Sequence, residues 1–179
     1  MNTLRNFYAL RAVVAFAWVG LAIASRGHPA LVVGTLLVLY PLWDAVANVV
    51  DARRNGGLAA NPGQRFNAVT SVLAALGMGV AFATHGNAGG VFFFGLWALL
   101  AGVFQLAVGI RRRKLGGQAF MMISGAQSGL AGIAFVVRSM GTAPEVSQLA
   151  PYAAFGGLYF ALSAVWLTFR RPPAAPVTR

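Results

Sequence analysis

The chain has 179 residues, 58% of them hydrophobic and only 9% charged, with 14 Lys and Arg against 3 Asp and Glu and a net charge of +11. A water-soluble domain carries roughly 25% charged residues, so a chain this poor in charge cannot cover a soluble surface and reads as an integral membrane protein. It has no cysteine, which excludes disulfides, thiolate catalysis and cysteine-ligated zinc or iron–sulfur centres.

A helix needs ~20 apolar residues to cross the hydrocarbon core of a bilayer. Six runs reach that length, at about 7–25, 30–51, 66–84, 90–111, 119–139 and 149–170. Backbone in lipid must satisfy its own hydrogen bonds, so each run is predicted to be a helix. Barrel strands would need short alternating patterns with polar interiors, and the runs are unbroken instead.

The first run has signal-peptide features: Arg5 and Arg11 resemble a basic leader, and Ala22-Ile23-Ala24 a small-residue cleavage site. Its Gly20-Leu21-Ala22-Ile23 nevertheless has counterparts in Gly79-Val80-Ala81-Phe82 and Gly132-Ile133-Ala134-Phe135, so it is read as a retained span. A connection containing His28 follows.

The second run carries Asp44 well inside an apolar stretch, with Asn48 and Asp51 at i+4 and i+7 on the same helical face. A carboxylate at mid-helix costs roughly 2.5–3.5 kcal/mol on insertion scales, so Asp44 needs either a partner or a purpose. The third run begins with Asn67, Thr70 and Ser71 and ends near His85. The fourth holds Gln105 and stops at Arg111, Arg112, Arg113 and Lys114.

The fifth repeats small residues at Ser124, Gly125, Ser128, Gly129 and Gly132, and carries Gln127. Small residues let helix backbones approach closely in lipid. Gly125, Gly129 and Gly132 therefore form a packing face, within the bundle or towards a second copy or membrane partner. The sixth ends at Arg170 and Arg171, and residues 172–179, with Pro-Pro-Ala-Ala-Pro, read as a short disordered tail.

Gly34, Gly95 and Gly156 each open an apolar run that ends in basic residues, and they lie 61 residues apart. The chain is thus expected to be one transmembrane domain, residues 1–171, made of three tandem helical hairpins at about 7–54, 66–114 and 119–171. The position seven after each leading glycine is Pro41, Gly102 or Ser163.

Lys and Arg mark the cytoplasmic side of a membrane protein. All 14 sit on one predicted side except Arg26 and Arg138. Both termini are therefore expected in the cytoplasm of a bacterial inner membrane. The basic excess reads as orientation and contact with anionic headgroups, not as a nucleic-acid surface.

The segment Phe94-Gly95-Leu96-Trp97-Ala98 through Gly109-Ile110-Arg111, the stretch from Ile123-Ser124-Gly125 to Phe135, and the span from Tyr152 to Trp166 resemble the HdeD family. That resemblance implies a six-span bacterial inner-membrane protein linked to acid resistance, and supplies no catalytic motif.

Three groups of residues are the candidate sites. Asp44, Asn48, Gln105 and Gln127 are a candidate intramembrane polar site, serving either interhelical packing or a cavity for an ion, proton or headgroup. Asp51 with Arg112 or Arg170 is a candidate rim ion pair. His28 and His85, in the first two outer connections, are candidate pH sensors, since histidine titrates near pH 6.5. Asp44 and Asp51 fall on the predicted cytoplasmic side, while Glu145, His28 and His85 fall on the outer side with no metal-ligand spacing among them, so no acid–base pair, triad, metal site or cofactor site is expected. The expected role is structural or stress-linked, with a small channel or carrier, or a subunit of a larger complex, as alternatives.

Overall fold

The computed structural model describes residues 2–111, 113–115, 119–142 and 144–169. It has five α-helices: α1 (Asn2–Ala24), α2 (Ala30–Arg54), α3 (Pro62–Arg111), α4 (Ala119–Ser139) and α5 (Ala150–Phe169). Short 3-10 turns, Arg113–Leu115 and Val146–Leu149, precede α4 and α5. There is no strand among the described residues. Each α-helix is long and apolar enough to cross a membrane.

α3 is 50 residues long, but its backbone leaves helical geometry at Gly86 (φ 60°, ψ −144°). A straight helix of that length would measure ~75 Å, far more than a bilayer core. Instead the two arms, 62–85 and 87–111, fold back on each other. Phe66 stacks on Phe104 with ring centroids 4.0 Å apart. Trp97 Nε1 donates to Ser71 Oγ at 3.0 Å, Phe93 lies on Gly77, and Gly89 meets the backbone of Ala81. Successive pairs step outward from Gly86, as antiparallel arms must. The connection expected between 84 and 90 thus shrinks to one residue. Gly89 allows this, because a Cβ there would collide with the Ala81 carbonyl, and Gly86 supplies a backbone conformation open almost only to glycine.

The helices associate through small residues, in three close antiparallel pairs. On α2, Gly34 receives the Phe82 ring of α3 and Val38 contacts Gly79. On the second arm of α3, Gly95, Gly102 and Gly109 recur every seven residues, two helical turns, and all face α4. A Cβ on Gly95 would sit 2.8 Å from Gly132 O, and one on Gly125 2.7 Å from Leu106 N. α5 sets Gly157 against Ala15 and Phe16 of α1. The closest partner of α1 is therefore α5, from the far end of the chain, and not α2, the other half of the hairpin expected at 7–54. α1 and α2 meet mainly through long side chains, with Trp18 Nε1 donating to Leu36 O at 2.8 Å.

These pairs enclose an aromatic core. Phe94 is fully buried, with Trp18, Tyr40, Trp97, Phe135 and Tyr152 all between 5.4 and 6.3 Å from its ring centroid. Large apolar side chains also cover the outside: Leu31 is 81% exposed, Leu130 69% and Val80 67%. Such side chains gain by facing hydrocarbon and lose by facing water. At one end of the bundle lie Arg53, Arg54, Arg65 and Arg111; Arg26, Gly86 and Arg138 mark the opposite end.

Candidate functional site

Asp44 lies on α2, on the basic side of the aromatic core. Its Oδ1 accepts from Arg11 Nη2 of α1 at 2.6 Å. Its Oδ2 accepts from Asn48 Nδ2 at 3.0 Å and from Ser71 Oγ of α3 at 2.8 Å. Ser71 accepts in turn from Trp97 Nε1 on the other arm of α3. One carboxylate thus ties together α1, α2 and both arms of α3. Helical spacing explains the local part: Asn48 is one turn beyond Asp44, so its amide also reaches the Asp44 carbonyl at 2.8 Å.

The ion pair is largely withdrawn from the surface, with side chains 13% exposed for Arg11 and 23% for Asp44. The Arg11 guanidinium stacks 4.1 Å over the Phe160 ring of α5, a favourable cation–π position. Its Nε is buried without a hydrogen-bond partner among the described residues. Beside the pair, Tyr40, Trp43, Trp97 and Phe160 wall a cavity of about 40 Å³. A water needs ~10–15 Å³ measured this way, so the space suits a few waters and no larger ligand.

The sequence presents Arg11 as an orientation signal and Ser71 as one of the polar residues that begin the third run. Both belong to this cluster. The signal that could have found Arg11 is electrostatic: a cation four residues inside an apolar run requires a counter-charge at similar depth, and Asp44 is the carboxylate available.

The other expected members do not converge here. Gln105 is half-buried on α3 and is not among the partners of Asp44. Gln127 accepts from Tyr159 Oη at 2.9 Å, bridging α4 to α5. Asp51 accepts from Asn55 at 3.2 Å and Gln64 at 3.0 Å, closing the α2–α3 connection. Arg112, Arg170 and the tail 172–179 lie outside the described residues. Gly125 and Gly132 are taken up by the α3 contact inside this chain, and Gly129 lies between them, its backbone against Gly102.

At the opposite end, His28 is exposed in the α1–α2 connection and lines a wide pocket. His85 is exposed beside the Gly86 turn, its Nδ1 2.7 Å from Thr84 Oγ1. Arg26 pairs with Glu145 at 3.3 Å across the pocket's rim. No group of three or more His, Asp or Glu able to hold a metal occurs among the described residues.

Fold and site together define, among the described residues, an all-helical bundle of helices long and apolar enough to span a membrane, with an ion-pair cluster inside the bundle. No family model, curated protein or solved structure matches the chain.

Proposed function

We propose that this chain is a six-span integral protein of the bacterial inner membrane, both termini cytoplasmic, with a structural or stress-linked role and no catalytic activity. The two arms of α3 count as separate crossings, which makes six. The three close pairs then join each even span to the next odd one, cyclically, an arrangement consonant with a threefold repeat. Clustered arginines at one end support the orientation. The resemblance to the HdeD family supports the stress-linked reading.

The observation that carries the proposal is the saturation of Asp44. Both carboxylate oxygens are engaged, by Arg11, Asn48 and Ser71. A transport site keeps polar atoms for its cargo, whereas here they bind helix to helix. The Phe94 cluster also stands between this polar site and the pocket at the other end. These two points support the structural reading over a channel or carrier.

Cysteine accessibility tests it, in a chain with no natural cysteine. Single cysteines at positions 44, 48 and 105, in membranes from cells, should react slowly with charged thiol reagents from either side. Rapid labelling at 44 and 48, blocked by a candidate ion or solute, would favour the carrier. Cysteines in the 25–29 and 55–61 connections should label from opposite faces; labelling from the same face would overturn the topology.

A further inference from the structure

The end of the bundle away from the arginine cluster holds a pocket of about 430 Å³, within the range of small-molecule sites. Its floor is apolar, from Val33 of α2, Phe82 of α3 and Val146. Its rim is polar, and one cation and one anion dominate it. Arg26 Nε donates to Ser147 Oγ at 3.0 Å and lies 3.3 Å from Glu145 Oε2. Ser147 Oγ donates to the same Oε2 at 2.9 Å.

This strap uses one side of each charged group. The two terminal nitrogens of Arg26 and the Oε1 of Glu145 hydrogen-bond no protein group among the described residues, and both side chains are well exposed, 63% and 50%. Asn87 lines the same pocket and offers a further amide donor. Ala30, also in the lining, opens α2 behind Pro29 with no side-chain cap, so a backbone N–H adds to the positive side.

The charge pattern selects the ligand. A simple anion would meet Glu145, and a simple cation would meet Arg26. A molecule carrying an oxyanion beside a primary ammonium meets both groups with the right sign. The paired nitrogens of a guanidinium match two oxygens of a phosphate, and a carboxylate oxygen accepts from an ammonium. Leu31 and Val32, exposed at the start of α2, put apolar surface next to the pocket, where an acyl chain could continue from a bound headgroup.

We infer that this pocket is a binding site for a phosphoethanolamine zwitterion, its phosphate on Arg26 and Asn87 and its ammonium on Glu145. A lipid headgroup and the free compound share this chemistry. The lipid source rests on the six-span reading above; the pocket itself does not.

The test uses the full chain purified in detergent, with native mass spectrometry of bound lipid. Equal amounts of phosphatidylethanolamine, phosphatidylglycerol and phosphatidylcholine with the same acyl chains are supplied together. The expected result is preferential retention of phosphatidylethanolamine. Arg26→Gln should lower that retention about tenfold, the loss of a charge-assisted phosphate contact. Glu145→Gln should erase the preference over phosphatidylglycerol while both lipids still bind. Displacement by soluble O-phosphoethanolamine identifies the headgroup alone as sufficient; retention against it identifies the lipid. Equal retention of the three lipids by the parent chain overturns the proposal. So does unchanged phosphatidylethanolamine retention in both variants with unchanged melting. If Arg26→Gln loses its melting transition, Asn87→Leu, which leaves the strap intact, takes its place, and unchanged retention there overturns the proposal equally. Failure in detergent leaves the six-span reading standing, because that reading is decided by cysteine topology.

Discussion

Replacing Asp44 by Asn distinguishes a structural cluster from a ligand site by the sign of the stability change. The substitution keeps the shape and an acceptor for Ser71 but removes the charge facing Arg11. Arg11 then loses its 2.6 Å partner while only 13% exposed, and its Nε already lacks one. Breaking a buried pair from one side costs about 3–5 kcal/mol in soluble proteins. Interhelical polar contacts in bilayers are weaker, averaging ~0.6 kcal/mol, because the unfolded chain in the membrane also finds partners. The residual stacking of Arg11 on Phe160 offsets part of the loss. An intermediate value of about 2 kcal/mol is expected. Arg11→Met should cost a similar amount, and the double variant far less than the two combined, since it removes both charges together. Reversible unfolding in mixed detergent micelles, followed by far-UV circular dichroism, measures all three. If Asp44 were instead an unpaired charge kept for a ligand, its removal would relieve an insertion cost of ~2.5–3.5 kcal/mol and the protein would become more stable. A stabilised Asp44→Asn chain, or losses that simply add, refutes the clamp.

The same unfolding assay checks the packing. Gly125→Ala should lose about 2 kcal/mol, because its new methyl would lie 2.7 Å from Leu106 N and backbone cannot step aside. Gly129→Ala should be near neutral, since its methyl meets open space; equal losses would show that α3 and α4 do not pack in this register. Gly86→Ala also meets open space, yet should lose about 1–3 kcal/mol through its φ of 60° alone. Trp18→Phe should lose about 1 kcal/mol with its hydrogen bond to Leu36 O, visible as a lower melting temperature.

What the sequence disclosed followed from solvent. Apolar runs must become helices in lipid whatever their partners, so the helical segments were legible to within a few residues. What it withheld were contacts set by the rotation of one helix about its axis relative to another. Gln105 lies 61 residues after Asp44, the same spacing as Gly34 to Gly95, so the expected repeat would put them together. In the structure the partners of the carboxylate are Asn48, Arg11 and Ser71 and not Gln105, and neither Arg11 nor Ser71 stands at that 61-residue spacing from Asp44. The glycine stripe on α4 was legible as a packing face, but the partner required matching it against Gly95, Gly102 and Gly109 at two-turn spacing. Arg11 was the costliest omission, because the rule that counts arginines for orientation treats each as solvated. A guanidinium with one carboxylate at 2.6 Å and an aromatic face at 4.1 Å is not solvated. Its charge is cancelled inside the bundle, and it adds nothing to the orienting field. In the proposed orientation Arg53, Arg54, Arg65 and Arg111 supply the basic side without it, so an Arg11/Asp44 double replacement by apolar residues should leave the orientation of the spans unchanged.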